Sequence, residues 1–263
     1  MHPLRWLSAL LLSATLAVAA TVDSLANQKI VVLGDSITQG GGYVSFMDYY
    51  LQRLRPQARF ELYPLGLSSE TVSGLSEPGH AGGKFARPCL SERLPRVLEK
   101  MKPDVVFACY GMNDGIYLPL EEKRFQAFKD GINHLLDSCQ KAGVKRIVLV
   151  TPPIYDAATK AGEFNYDTVL TAYAAWEKTL ARPGLEVVDL HTAMRAARDQ
   201  RTEVFLKADP LFQQVDALRK FRAGRWMAFT GYTREKVVTP TPLGDAEAQA
   251  AKFQAKIDEL RRK

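Results

Sequence analysis

The sequence predicts an α/β fold in which one five-stranded parallel sheet lies between two layers of helices. Short apolar runs without alternation, such as Ile30 to Leu33, are typical of strands buried on both faces. Five such runs alternate with helical segments, and right-handed crossovers then make neighbouring strands parallel. This pattern favours a doubly wound sheet in flavodoxin-like order, a three-layer α/β/α architecture whose ligands bind at the carboxyl edge of the strands.

The individual elements follow from periodicity and from proline and glycine punctuation. The helix at 43–54 must end before Pro56, and Phe128, Ile132 and Leu135 repeat at helical spacing in the helix at 125–139. Residues 72–89 are rich in glycine and proline and predict a long loop that forms one wall of a cleft. The predicted strands are 30–33, 59–63, 104–109, 145–150 and 186–189, and the predicted helices are 43–54, 90–101, 125–139, 167–180, 211–221 and 245–260.

The chain divides into a short leader, one main domain and a helical extension. Arg5, the apolar run from Trp6 to Val18 and the small residues at 17–20 predict a signal peptide over residues 1–20, with an uncleaved anchor as the alternative. We therefore expect an exported protein, periplasmic or secreted, without stable membrane insertion after cleavage. The main domain spans 28–200. The extension, 201–263, either completes the same domain or docks elsewhere.

Composition argues against several classes of function. The 35 basic and 29 acidic residues give a net charge of +6, without the basic patch and interleaved aromatics that nucleic-acid binding requires. No Cys/His spacing suggests a metal, and we expect no cofactor. Cys89, Cys109 and Cys139 are an odd set. Cys109 is predicted to be a packed thiol, and a Cys89–Cys139 disulfide stays open.

A serine, a glycine and an asparagine follow three of the predicted strands. Asp35 and Ser36 follow the first strand and precede a helix, Gly66 follows the second, and Asn113 lies in Gly-Met-Asn-Asp after the third. Parallel strands bring these positions to one edge of the sheet. A neutral amide on a rigid strand end suits stabilisation of an oxyanion. The alternatives, that Ser36 only caps a helix and Gly66 only permits a turn, stay open.

The order and spacing of these motifs resemble the SGNH (GDSL) hydrolases, in particular exported bacterial members of uncertain substrate, over roughly residues 28 to 195. The resemblance implies that Ser36 is the nucleophile. It also implies that the N–H groups of Ser36 and Gly66 and the side chain of Asn113 form the oxyanion hole. The implied activity is hydrolysis of acyl or acetyl esters of small molecules or carbohydrates.

The chain departs from this family in one block. SGNH hydrolases carry Asp-x-x-His after the fifth strand, where the histidine is the general base. None of the four histidines, His2, His80, His134 and His191, stands in that pattern. A proline and glycine rhythm at 238–244 would place Thr239 at the histidine position and Lys236 at the aspartate position, and neither can act as required.

His191 is the predicted base because it follows the fifth strand, with Asp189 or another carboxylate on its other ring nitrogen. His80, in the long loop, is the competing candidate, and His134 is predicted to be a surface or packing residue. The missing block also supports a second hypothesis, in which a non-catalytic relative binds an acylated glycan or a similar ligand.

Overall fold

A computed structural model describes residues 22–156, 164–200 and 209–262. The predicted signal peptide lies outside the described residues and stays a prediction. The described chain contains a five-stranded sheet in the order β2-β1-β3-β4-β5, with every neighbouring pair parallel. The predicted three-layer α/β architecture is therefore confirmed.

The first four strands are short and almost completely buried, as their continuous apolar runs predicted, whereas only Leu185 is buried in the fifth. Strand β2 lies later in the chain than the predicted 59–63 and includes Gly66, which pairs with Gly34 of β1. The strands are β1 Lys29–Gly34, β2 Glu61–Gly66, β3 Val105–Cys109, β4 Arg146–Val150 and β5 Leu185–Val188.

Helices connect successive strands and pack on the sheet. Two helices depart clearly from prediction. The helix Leu190–Gln200 was not predicted, and α7, expected over 211–221, extends to Thr230, where Gly231 in the left-handed conformation ends it. The helices are α1 Ser36–Gly40, α2 Gly42–Leu54, α3 Leu90–Met101, α4 Glu122–Lys141, α5 Asp167–Lys178, α6 Leu190–Gln200, α7 Pro210–Thr230 and α8 Ala246–Leu260.

The described part of the extension shares the core of the main domain. Val215 and Trp226 of α7 and Ile257 of α8 belong to the same buried cluster as Val31 of β1. Helix α7 also donates from Arg222 Nη1 to the carbonyl oxygen of Leu62, 3.1 Å away, at the open edge of β2. These contacts cover an edge strand that would otherwise expose unpaired backbone groups.

The cysteines are present as free thiols, with Cys109 and Cys139 buried and Cys89 half-buried. The structure therefore contains no Cys89–Cys139 bond. Within the described ranges, no helix is both long enough and apolar enough to cross a bilayer.

Candidate active site

Ser36 lies at the carboxyl end of β1, at the start of the short helix α1. Its side chain is exposed and makes no hydrogen bond with the residues that the structure describes. Asp35 caps the helix, since its Oδ1 accepts from the backbone N–H of Ile37 at 2.9 Å. The cap fixes the backbone around Ser36 and leaves the Ser36 hydroxyl facing solvent.

Asn113 lies in the turn after β3 and is buried beside Asp35. Its Nδ2 donates to the carbonyl oxygen of Glu70 at 3.1 Å and lies 3.5 Å from Asp35 Oδ2. Its Oδ1 accepts from Arg87 Nη1 at 3.0 Å and from the hydroxyl of Tyr117 at 3.3 Å. Two donors on the oxygen fix the orientation of the amide, so Nδ2 is turned towards the Asp35–Ser36 turn.

A buried ion pair holds Glu70, the residue whose carbonyl oxygen accepts from Asn113. Arg93 of α3 forms a two-point contact with Glu70, with Nε–Oε1 at 2.6 Å and Nη2–Oε2 at 2.7 Å, and both side chains are inaccessible to solvent. The hydroxyl of Tyr110 at the end of β3 donates to Glu70 Oε2 at 2.6 Å. The pair therefore fixes Glu70, whose carbonyl oxygen accepts from Asn113.

Asp114 fixes the next part of the loop. Its Oδ1 accepts from the backbone N–H groups of Val72 and Ser73 at 2.8 and 2.9 Å, and its Oδ2 accepts from Gly111 N–H at 2.9 Å. The Asn-Asp pair after β3 thus has two functions. Asn113 faces the serine turn, and Asp114 ties the loop after β2 to the sheet.

Burial disfavours the ionised form of the carboxyl groups at the centre of the site. It raises the pKa of Asp35 to about 7, and the nearby carboxylates of Asp114 and Glu70 add to the rise. Burial likewise raises the pKa of Asp114 to about 6. A neutral donor such as the Asn113 amide is therefore better suited than another carboxyl to face an oxyanion here.

Gly66 is a glycine because α1 lies directly against it. A Cβ at this position would lie 2.2 Å from the backbone nitrogen of Gln39. Leu67 N–H, not Gly66 N–H, donates to the carbonyl oxygen of Gly34 at 2.8 Å. Because N–H groups alternate in direction along a strand, the N–H of Gly66 points away from β1. Its role in the oxyanion hole stays a prediction.

Ser69 is a residue that the sequence reasoning missed. It has φ +68, in the region that favours glycine, and it lies in the turn closed by the hydrogen bond from Glu70 N–H to the carbonyl oxygen of Leu67. The N–H of Ser69 has no partner among the described residues. The carbonyl oxygen of the next residue, Glu70, accepts a hydrogen bond from Asn113 Nδ2. The turn thus offers a free backbone donor beside the amide. The one indication in the sequence was a serine at a turn position where glycine is preferred.

His191 is buried behind the end of β4. Its Nδ1 lies 3.2 Å from the carbonyl oxygen of Pro152, and its Nε2 lies 3.2 Å from Thr171 Oγ1 and 3.0 Å from Arg195 Nη2. The nearest carboxylate is Asp167, whose Oδ1 lies 3.7 Å from Nε2, whereas Asp189 pairs with Lys178. Neither ring nitrogen hydrogen bonds to Ser36. The role of His191 as the general base stays a prediction.

His80 lies in a single 3-10 turn over 80–83, in the predicted long loop. Its Nδ1 contacts Glu77 Oε1 at 3.0 Å, and its Nε2 is buried without a partner among the described residues. Glu77 also binds Arg87, through Nε at 2.6 Å and Nη2 at 2.7 Å. The loop thus reaches Asn113 through Arg87, but His80 does not bond to Ser36. His134 is exposed on α4.

These contacts make a prediction for the two histidines. We expect His191→Asn to lower the free energy of unfolding by about 1–3 kcal/mol, because it leaves buried partners unpaired. Because both ring nitrogens contact groups other than Ser36, we expect the kcat of ester hydrolysis to stay unchanged, a result that would overturn the prediction that His191 is the base. Chemical unfolding and a pH–rate profile, compared with His80→Asn, provide the measurement. Loss of kcat in a variant that remains folded would instead identify the substituted histidine as the base.

Helix α7 contains a segment with the spacing of the histidine block expected from the sequence resemblance, but with a different residue at the histidine position. Asp216, Arg219 and Gly224 reproduce the spacing of Asp-x-x-His-Pro-x-x-x-Gly, with arginine in place of histidine and Lys220 in place of proline. Arg219 Nη2 pairs with Asp216 Oδ1 at 3.0 Å. Guanidinium stays protonated in proteins, so Arg219 cannot accept a proton from Ser36. The sequence reasoning missed this segment because it searched for a histidine.

No cluster of His, Cys, Asp and Glu side chains within the described ranges is arranged to hold a metal ion.

Comparison with known proteins identifies the family. The sequence matches the profile of the GDSL-like Lipase/Acylhydrolase family over residues 32–209, a match that ends before α7. A search of curated proteins returned no match.

Solved structures are similar in fold at low sequence identity. A gut microbial diltiazem-metabolizing enzyme shows 17% identity and a TM-score of 0.54, over 89% of this chain and 47% of the other, so this chain spans about half of that structure. The acetyl xylan esterase AlAXEase shows 16% identity and a TM-score of 0.49, over 87% and 99% of the two chains. An acetyl xylan esterase from Geobacillus stearothermophilus shows 20% identity and a TM-score of 0.47, over 81% and 98%.

The family match covers more than half of the chain and includes the Ser36 turn and the Asn113 turn. The chain belongs to the GDSL-like lipase/acylhydrolase family, whose members are also called SGNH hydrolases.

Proposed function

We propose that this protein hydrolyses carboxylic esters through Ser36. The observation that carries the proposal is the juxtaposition of an exposed serine hydroxyl with a buried amide of fixed orientation. Asn113 Nδ2 lies 3.5 Å from Asp35, the residue immediately before Ser36. Membership of the GDSL-like family supports the reaction class.

The proposed reaction is acyl transfer in two steps. Ser36 Oγ attacks the ester carbonyl carbon, and the carbonyl oxygen takes up the negative charge of the tetrahedral intermediate. The Ser36 N–H and Asn113 Nδ2 stabilise that charge, together with the N–H of Gly66 as the family implies or that of Ser69 as the turn geometry favours. The alcohol then leaves, and water hydrolyses the acyl-serine to release the acid.

The proton of Ser36 has no histidine acceptor in hydrogen-bonding contact within the described residues. Solvent must then accept it, so we expect slow turnover that favours esters with good leaving groups. In serine hydrolases that lack a triad member, the oxyanion hole and substrate binding alone retain about 10³–10⁴-fold acceleration over water. The substrate class that we propose is acyl or acetyl esters of small molecules or carbohydrates.

Hydrolysis of p-nitrophenyl acetate and release of acetate from acetylated xylan test the proposal. We expect the wild-type protein to exceed the buffer rate on p-nitrophenyl acetate, and Ser36→Ala to abolish the excess. Ser91→Ala, an exposed serine at the start of α3, is the matched control and should leave the rate unchanged. Equal rates for wild type and Ser36→Ala would contradict the proposal.

A second candidate function is ligand binding without turnover, as in a relative that holds an acylated glycan. Two observations favour it, namely the partners that occupy both ring nitrogens of His191 and the arginine in the Asp-x-x-His spacing of α7. Saturable binding of an acetylated oligosaccharide with no acetate release would support binding over hydrolysis.

We also propose that the protein is exported. The basis is the leader at 1–20, which is apolar and ends in small residues. The expected mature N-terminus lies near Thr21. Intact mass measurement of protein from the periplasm or the medium provides the test, and a chain that still begins at Met1 would contradict cleavage.

A further inference from the structure

A cavity lies beside the candidate active site, between α1, the end of β2 and α7. Its volume is about 560 Å³, within the range of about 300–1,000 Å³ typical of small-molecule sites. Gly40 of α1 and Gly66 of β2 form one wall, and the segment 232–241 closes the opposite side. The other wall comes from α7, and most of its side chains are apolar, including Ala223, Met227 and Ala228.

Arg219 is the buried charge in this wall. Its side chain is 6% exposed, and Asp216 and Ser45 hold it. Nε donates to Ser45 Oγ at 2.8 Å, while Nε and Nη2 lie 3.1 and 3.0 Å from Asp216 Oδ1. The guanidinium is thus fixed before any ligand arrives, which reduces the entropy lost on binding.

The third guanidinium nitrogen differs from the other two. Nη1 has no hydrogen-bond partner among the described residues. Gly41 makes room for it, because a Cβ on Gly41 would lie 2.2 Å from Nη1. Gly41 has φ +70, so a glycine is favoured there by its backbone as well. The chain therefore places an incompletely paired cation against the cavity.

The charges around the cavity leave a positive excess. Asp216 is shared between Arg219 and Lys220, whose Nζ lies 2.7 Å from Asp216 Oδ2. Two cations and one carboxylate give a local charge of about +1. A monoanion would balance this charge, and an arginine binds a carboxylate through its planar donors.

We propose that this cavity binds a monocarboxylic acid with an apolar tail, with the carboxylate on Arg219 Nη1 and the tail along α7. The proposal goes beyond the proposed hydrolysis and does not require it. It also explains how an arginine in the spacing of a catalytic block contributes to function: it binds an anion instead of moving a proton. The site begins at Gln39 and Gly40, within one turn of Ser36.

Calorimetry or ligand-observed NMR with octanoate and octanol tests the proposal. The Ser36→Ala protein is used, so that a failure of catalysis cannot affect the result. We expect octanoate to bind about 10–100-fold more tightly than octanol, because a charge-assisted hydrogen bond adds about 1.5–3 kcal/mol. Adding Arg219→Met should remove this difference, and adding Arg219→Lys should remove less of it.

Two further variants separate the site from general effects of charge or folding. Arg225→Met removes an exposed arginine of the same helix and should leave octanoate binding unchanged. Ala223→Leu should weaken octanoate and octanol alike, because it fills the cavity without changing charge. Circular dichroism and a melting curve confirm that each variant is folded. Equal affinity for the two ligands in the Ser36→Ala protein, or full octanoate affinity in a folded Arg219→Met protein, would overturn the proposal.

Discussion

Arg93→Met is expected to lower the free energy of unfolding by about 3–5 kcal/mol, because it leaves the Glu70 carboxylate buried without its cation. Both side chains of the pair are inaccessible to solvent, and Arg93 Nη2 also donates to the carbonyl oxygen of Leu65 at 2.7 Å. The loss is large because water cannot replace either contact. Urea unfolding followed by circular dichroism measures it.

The matched control is Arg59→Met, which breaks an ion pair at the surface. The side chain of Arg59 is 66% exposed and lies against Glu61, so we expect a loss of at most about 1 kcal/mol. The double variant Arg93→Met with Glu70→Leu should recover part of the loss, since it removes the unpaired charge. If Arg93→Met costs no more than Arg59→Met, the buried pair does not hold the loop in place.

Asn113→Ala is expected to lower kcat for ester hydrolysis by about 10²–10³-fold, because it removes the side-chain donor that we propose for the oxyanion hole. The change should leave KM nearly unaffected, since the donor acts in the transition state. Steady-state kinetics with p-nitrophenyl acetate provide the measurement, with Asn165→Ala as the same change outside the site.

Arg87→Met provides a further test of the same amide. Arg87 donates a hydrogen bond to the side-chain oxygen of Asn113. Loss of Arg87 should therefore permit rotation of the amide and lower kcat by less than Asn113→Ala does. Parallel losses of kcat and folding stability in both variants would indicate a structural role only. An unchanged kcat in Asn113→Ala would place this residue outside the oxyanion hole.

The parts of the fold that the sequence predicted depend on local patterns. The run from Ile30 to Leu33 indicates a strand covered on both faces because it is short, rich in β-branched residues and followed directly by a glycine. The parallel arrangement of the five strands followed from crossover handedness, and their order from the common flavodoxin-like pattern, neither of which depends on side-chain detail. The Ser36 and Asn113 turns were found because each lies directly after such a strand.

The rest of the site depends on contacts between distant segments. The contact of Arg87 with Asn113 joins a loop without periodicity to a strand end, and nothing in either segment indicates the other. The environment of His191 depends on how α6 packs against α5, which places Thr171 and Arg195 on its Nε2. Position after a strand therefore indicated the correct edge of the sheet for His191 but not its partners.

The extent of α7 was underestimated for a related reason. Its apolar residues face more than one neighbour, so no single stripe marks the helix beyond Phe221. The arginines that interrupt the pattern are buried by specific partners, as Arg222 is by the carbonyl oxygen of Leu62. The spacing of Asp216, Arg219 and Gly224 became meaningful only when the structure showed this helix beside α1.

The central claim is that Ser36 is a nucleophile supported by an oxyanion hole. Incubation with a fluorophosphonate, followed by intact mass measurement and peptide mapping, tests it most directly. We predict one covalent adduct, located on Ser36, which forms slowly because no base hydrogen bonds to the hydroxyl within the described part of the chain, and which forms more slowly still in Asn113→Ala. Absence of an adduct on Ser36 under conditions that label a serine hydrolase standard, or an adduct on a different serine, would contradict the account.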